Sequence, residues 1–412
     1  MSDAALLALR PARSAHATIG PAMQVGGQRV HYVKNGAAAS YCRLGARETF
    51  LLAAMDGERT LADIGAAYEG AFGMPLSTGG MRKILQILGS RGLLAQPGLE
   101  AVVPAPAPLP RLSVRGRGEV YLRVADPARL LDALARRVRW LDGAGAAWGI
   151  VLLIGLCEAY ALFHHAALWQ TIQASLRAPS ALLVAAFCGI TYASAVLHEL
   201  AHGTMCTRYG GRVNDMGLMF RYLMLFPYCK LDDLVILPHA RARTVTVLAG
   251  VTVNLLLLVP VVALDAWLDG AGVAKQLCAW MLVFYNLSVL FNLLPFLRFD
   301  GYMLLSICRG RPELKEEAFK ELRLALPRAR QVRSRAAGPD WALLGYGLLY
   351  ALVTTAAVGW ALVRWARWSV DTGLPWLAPA PLLLMLGLAL HVRAGKTRAA
   401  AVPVPAQPTT VQ

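Results

Sequence analysis

The residues best suited to chemistry are His198, Glu199 and His202, in the run His198-Glu199-Leu200-Ala201-His202. Histidines four apart lie one turn apart on a single helix face, so both imidazoles can reach one ion. Glu199, beside them, is placed to take a proton from water at that ion. Independent placement would produce this pattern about 0.004 times per chain of this composition. Three ionisable residues packed into an apolar run are costly there unless they have a function. Two histidines merely satisfied by hydrogen bonds in a helical bundle is the weaker reading.

A hydrolytic zinc site takes three protein ligands and keeps a fourth position open. The third ligand is sought at the end of a later apolar run, Asn292-Leu-Leu-Pro295-Phe-Leu-Arg298-Phe299-Asp300-Gly301-Tyr302. Pro295 lacks a donor and clashes with the preceding turn, so it should end the helix. Gly301 allows a tight bend beside Asp300. Unwound backbone at membrane depth is tolerated only where protein or a water-filled cavity surrounds it. Such a break would swing Asp300 back toward the histidines. Arg298 either pairs with a carboxylate or anchors the segment at a basic surface. His239 follows Pro238 in a basic loop and reads as a surface residue. Glu158 and His165 are spaced two turns apart in an apolar run. There the carboxylate either pairs with that histidine or lines a water path, while His164 and His165 read as interfacial.

These residues must be carried by membrane helices. The 412-residue chain is 57% hydrophobic and only 16% charged, too little charge to cover a soluble surface of this size. Its mean hydropathy is +0.47. Six apolar runs have the length needed to span about 30 Å of hydrocarbon: Ala147–Trp169, Ser180–His202, Thr244–Trp267, Gln276–Leu297, Trp341–Val363 and Leu374–Val392. The net charge of +16 crowds the ends of these runs, at Arg136, Arg137 and Arg139 and between Arg309 and Arg335. That is the positive-inside pattern, and it assigns the charge to membrane topology rather than to nucleic acid. Alternating the spans puts both termini in the cytoplasm of a multi-pass inner-membrane protein, with Arg364 and Arg367 dissenting. The apolar stretch Ala4–Leu9 is too short for a signal peptide. The seven cysteines are widely spaced, with no CxxC pair, and show neither a disulfide framework nor a thiolate metal site.

Residues 1–100 read as a separate cytoplasmic domain carrying 10 basic and 7 acidic side chains. Gln28–Lys34 alternates as a strand. Helical patterns follow at Ala46–Met55, Thr60–Phe72 and Leu76–Arg91, with Thr60 and Asp63 as a capping pair. Leu93 and Leu94 close the unit. Residues 101–143 combine a Pro/Ala linker (Ala101–Pro110) with a basic, amphipathic lead-in to the membrane. The spans occupy residues 144–395, and residues 396–412 read as a disordered tail. The expected fold is mainly α: a polytopic helical membrane protein behind a small α+β winged-helix-like domain.

With these motifs in hand, the chain resembles the site-2 protease family of intramembrane zinc metalloproteases. That family pairs HExxH with a later N-x-x-P-x-x-x-x-D-G segment, matched here by Asn292, Pro295, Asp300 and Gly301. A glycine and an asparagine on the intervening span are matched by Gly250 and Asn254. The resemblance covers about residues 180–305. It implies a zinc cofactor held by His198, His202 and Asp300, with Glu199 catalytic and Asn254 holding the substrate backbone or the developing oxyanion. The RFDGY version and the Phe226-Pro227-Tyr228 segment are similar to the peptide zinc metalloprotease branch, which accompanies peptide modification and export systems. This version departs from the simpler pattern, in which prolines and leucines precede the Asp-Gly pair. The first domain resembles the PqqD-like modules that bind precursor peptides, through residues such as Leu44-Gly45, Asp56-Gly57, Phe72-Gly73 and Gly92-Leu93-Leu94. In that family a leader peptide adds a strand to a sheet edge. A DNA-binding winged helix is the rival there, but Arg82, Lys83 and Arg91 make a small basic footprint.

Three functions are therefore weighed. The first is an endopeptidase acting on a membrane-associated or precursor peptide, alongside peptide export or modification proteins. The second is a non-proteolytic zinc-containing scaffold that docks a peptide to such a complex, a role that does not need Glu199. The third is a di-iron oxidase or desaturase. Eight histidines in all, two of them (His16 and His31) in the first domain, leave too few for its multiple boxes.

Overall fold

The computed structural model describes residues 2–37, 40–95, 111–115, 119–123, 127–221, 224–325 and 340–383. The expected linker Ala101–Pro110 and the tail 396–412 lie outside them. The chain forms two compact units, Met1–Leu314 and Lys315–Gln412.

The first unit begins with a small sheet domain made of α1 (Asp3–Leu7), β1 (Ala17–Val25), β2 (Gln28–Asn35), β3 (Ser40–Gly45), α2 (Ala46–Ala54), α3 (Leu61–Phe72) and α4 (Thr78–Ser90). The sheet is antiparallel in the order β1-β2-β3. The hairpin between β1 and β2 turns on Gly26 and Gly27, both at positive φ, the geometry that matches strand twist in a two-residue turn. Leu6, Val33, Leu52, Ile64, Leu88 and Leu93 are among its fully buried core. The short apolar stretch at the N-terminus is thus spent on this core, as α1. Thr60 and Asp63 form a reciprocal capping box: the Thr60 N–H donates to Asp63 at 3.0 Å and the Asp63 N–H to Thr60 at 3.2 Å.

Of the strands, only β2 was expected. β1 contains Gly20 and Pro21, and the structure absorbs them in a bulge between Ile19 and Ala22, where the unpaired residue needs no ladder donor. Gly20 also lies against the turn Asp232–Ile236, and a Cβ there would sit 2.7 Å from the Val235 carbonyl oxygen. Beside it Lys34 and Asp233 form a buried ion pair at 2.6 Å. Asp233 also accepts from the Tyr41 hydroxyl and from the Arg212 N–H at 2.7 Å. Burial, then the hydrogen bond to Asp233, pushes the Tyr41 phenol far above its ordinary range and keeps it a donor.

Next come β4 (Leu112–Arg115), β5 (Glu119–Arg123) and α5 (Ala128–Arg137), followed by α6 (Ala144–Phe163), α7 (His165–Arg177) and α8 (Ala181–Arg208). Then follow β6 (Met216–Arg221), β7 (Met224–Cys229), α9 (Ala240–Leu256), α10 (Leu258–Trp267), α11 (Val273–Asn292) and α12 (Asp300–Arg309). The lead-in is amphipathic as expected in α5, whose Leu131 is fully buried, but it also supplies a hairpin. β4 and β5 join β6 and β7 in one antiparallel sheet of order β4-β5-β6-β7. Pro227 lies in β7, which must then be an edge, since proline cannot donate to a second neighbour.

The second unit contains α13 (Leu314–Ala325) from Lys315 onward and α14 (Trp341–Asp371). Among the described residues, five helices are long and apolar enough to cross a membrane: α6, α8, α9 with α10, α11 and α14. Only 6% to 33% of each span's most apolar window is buried, so the apolar side chains face outward, the inverse of a soluble fold. The first span is shorter than expected. The helix stops at Phe163 and a new one, α7, starts at His165, so Glu158 and His165 do not share a helix. The sixth expected span, Leu374–Val392, lies largely outside the described residues.

Candidate metal centre

α8 places His198 and His202 one turn apart, both buried. α11 ends at Asn292 and α12 starts at Asp300, so the helix breaks at Pro295 as its missing donor requires. The returning chain packs Gly301 onto Leu293 so closely that a Cβ would collide with the Leu293 carbonyl. Glycine is needed for that approach rather than for an unusual φ. The fold-back delivers Asp300 to the histidines: its carboxylate oxygens lie 3.3 Å from His198 Nε2 and 3.4 Å from His202 Nε2, and the two nitrogens are 3.1 Å apart.

α9 supplies the opposite wall through residues four apart. The Thr246 carbonyl oxygen is 2.8 Å from His202 Nδ1. A carbonyl can only accept, so Nδ1 carries a proton and Nε2 is the atom turned toward Asp300. One turn on, Gly250 lies against both rings; a Cβ there would be 2.5 Å from Nε2 of each. Another turn on, Asn254 is buried and donates to Ser288 Oγ at 3.2 Å.

Glu199 lies within electrostatic reach of both histidines and Asp300, and its carboxylate accepts from the Cys229 N–H. β7 is set up for this contact. The Lys230 N–H pairs with the Asp215 carbonyl at 3.0 Å. Antiparallel alternation then turns the backbone groups of Leu225, Pro227 and Cys229 away from β6. The edge strand therefore runs past the glutamate with its outer polar groups facing outward.

His198, His202 and Asp300 can hold a metal ion, each offering one ligand atom within 4.8 Å of the others. Zinc bonds of about 2.0–2.1 Å in a tetrahedron would separate ligand atoms by about 3.3–3.4 Å, close to the spacings found. With the His198 proton also on Nδ1, three lone-pair donors would point at one place, an arrangement that a cation between them satisfies. Among the described residues, His198 Nδ1 and one Asp300 oxygen have no hydrogen-bond partner.

No family model, curated protein or solved structure matches the chain.

Of the residues singled out from sequence, the structure brings His198, His202 and Asp300 together, with Glu199 close by and Asn254 on the helix face that carries Gly250. His239 is exposed at the start of α9. Glu158 takes a hydrogen bond from Asn286 of α11, while His165 Nδ1 faces the Leu162 carbonyl at 2.8 Å. Sequence reasoning missed Thr246 and the Cys229 N–H. Thr246, Gly250 and Asn254 recur every four residues along an apolar helix, a signal for a face packed against polar groups. A backbone donor from a distant strand leaves no such trace. A second buried polar cluster was also missed: Asp265 of α10 accepts from the Tyr160 hydroxyl at 2.7 Å and pairs with Lys275 at 3.1 Å.

Proposed function

We propose that this chain is a membrane-embedded zinc endopeptidase that cleaves a membrane-associated or precursor peptide. The observation that carries the reading is the convergence of His198, His202 and Asp300 on one point, with a glutamate next to it. Two imidazoles and a carboxylate suit zinc and leave a fourth position for water. A zinc ion held by His198, His202 and Asp300 would supply Lewis-acid polarisation of a peptide carbonyl and a water of lowered pKa.

The chain's own groups do the rest. Glu199 takes the proton from the attacking water and later passes it to the leaving amine, and the Cys229 N–H holds the carboxylate in place. Thr246 fixes the His202 tautomer, and Gly250 lets the rings sit against α9. Asn254 keeps a second amide hydrogen beyond the one given to Ser288, available to the developing oxyanion. The substrate lies extended along the outer edge of β7, whose carbonyls at Leu225 and Pro227 take backbone hydrogen bonds. The spans seat the site in the inner membrane; together with the expected sixth span, Leu374–Val392, they leave both termini in the cytoplasm, and the sheet domain recruits the peptide by strand addition, as in the PqqD-like modules it resembles.

The test is cleavage of leader-bearing or membrane-anchored peptides by the full chain in liposomes, comparing wild type with Glu199→Gln at measured metal content. Cleavage by the wild type alone, with zinc in both, supports the reading. If both proteins hold zinc and bind peptide but neither cuts, the chain is a docking scaffold. Iron in place of zinc would contradict the assignment.

A further inference from the structure

The inner face of α5 is committed to the protein. Leu131 and Ala135 are buried, and a Cβ on Gly203, the neighbour of His202, would sit 3.1 Å from both methyl carbons of Leu131. That contact fixes which way the rest of α5 looks, and with it the 3₁₀ turn that follows (Val138–Asp142). Arg129, Arg136, Arg137 and Arg139 are all exposed, and among the described residues none of them makes an ion pair or a hydrogen bond. The acids of residues 128–142 are Asp132 and Asp142, so the stretch stays positive, with three arginines gathered in its second half. Apolar surface lies among them: Leu130 is 51% exposed and Trp140 is 68% exposed. The first apolar span, α6, begins shortly after, at Ala144.

We propose that α5 and its 3₁₀ turn bind the headgroup of an anionic phospholipid in the leaflet where α6 begins, with Arg136, Arg137 and Arg139 on the phosphate and Trp140 beside it. Free guanidinium groups take a phosphate through two parallel N–H donors. An indole settles at headgroup level, its ring apolar and its N–H wet. Leu130 then reaches the acyl boundary, as the apolar residues of interfacial helices do. Two simpler accounts explain less. Cations in the last turn of α5 complement its C-terminus, but Arg139 lies beyond that turn and Trp140 carries no charge. The positive-inside pattern accounts for the sign of the charge and not for an exposed indole placed next to it. A nucleic acid or an acidic protein surface would use the arginines and leave Leu130 and Trp140 unserved at the edge of a span. The proposal rests on the membrane reading of the spans and not on the protease reading, because its readout is lipid binding.

The experiment is native mass spectrometry of the full chain in an uncharged detergent, titrated with dioctanoyl phosphatidylglycerol and with dioctanoyl phosphatidylcholine. Each arginine at an anionic headgroup is worth about fivefold in affinity, so the anionic lipid should bind the wild type about 10²-fold more tightly. Arg137→Gln should lower that preference by about fivefold. Changing Arg136, Arg137 and Arg139 together to Gln should abolish it. These side chains are exposed and unpaired, so the variants should unfold at the wild-type temperature, which a thermal scan in the same detergent checks. Trp140→Ala should weaken both lipids alike. Arg364→Gln with Arg367→Gln, in the later part of α14, should leave the preference as it was. Equal binding of the two lipids, a preference that survives the triple variant, or full competition by millimolar inorganic phosphate would overturn the proposal.

Discussion

Two polar clusters sit among the apolar helices of the first unit, and they are built on opposite plans. Around Asp265 every charge has its complement: a carboxylate meets an ammonium from Lys275 and a hydroxyl from Tyr160, with Lys275 also donating to the Asp265 backbone carbonyl at 2.5 Å. Around Asp300 the Nε2 atoms of two imidazoles and a carboxylate converge with no described lysine or arginine paired to them, and α9 and α12 need glycine at Gly250 and Gly301 to bring them that close. The first cluster pairs its charge within the protein and joins α6, α10 and α11, though Asp265 Oδ1 has no hydrogen-bond partner among the described residues. The second has the spacing to hold an ion. Burial of ionisable groups in apolar helices is common to both, so burial alone does not mark a functional site; two imidazoles and a carboxylate at metal-ligand spacing do.

The comparison can be broken at several points. The largest effect is expected from Gly250→Ala, whose Cβ overlaps both imidazoles: bound zinc should fall from one per chain to near zero, measured by metal analysis after gel filtration. Glu199→Gln should keep the metal and slow cleavage by about 10²–10⁴-fold, the range for removing a general base. At the other cluster, Lys275→Met leaves Asp265 buried with only Tyr160. Removing one partner of a buried pair costs about 3–5 kcal/mol; Lys275 is a quarter exposed, so roughly 2 kcal/mol is expected after allowing for solvent screening. Thermal unfolding in detergent should show it, with zinc unchanged, and Asp265→Asn in the same chain should recover most of the loss. The smallest effect is Tyr160→Phe, which removes one hydrogen bond at about 1 kcal/mol, again without touching the metal. Loss of zinc in either Asp265-cluster variant would erase the distinction between the two.

Much of the metal centre was legible because its rules are local. HExxH specifies a helix face by spacing, and Pro295 and Gly301 announce a break beside Asp300. What required the structure is non-local. β1 hides behind Gly20 and Pro21, whose bulge forms only because β2 pairs across it. The four-stranded sheet joins residues 112–123 to residues 216–229, and no periodicity in either segment names the other. The Cys229 N–H reaches Glu199 only once that sheet exists. Asp265 and Lys275 are ten residues apart, yet helical spacing does not pair them, because a turn between α10 and α11 does.

The most direct test of the central claim is X-ray absorption at the zinc edge of the purified full chain. One zinc per chain, with two imidazoles and only nitrogen or oxygen ligands at about 2.0–2.1 Å, is the predicted result, with the imidazole scattering reduced in His202→Ala. A sulfur shell at about 2.3 Å, bringing in Cys206 or Cys229, or a spectrum indifferent to His202→Ala, would contradict it.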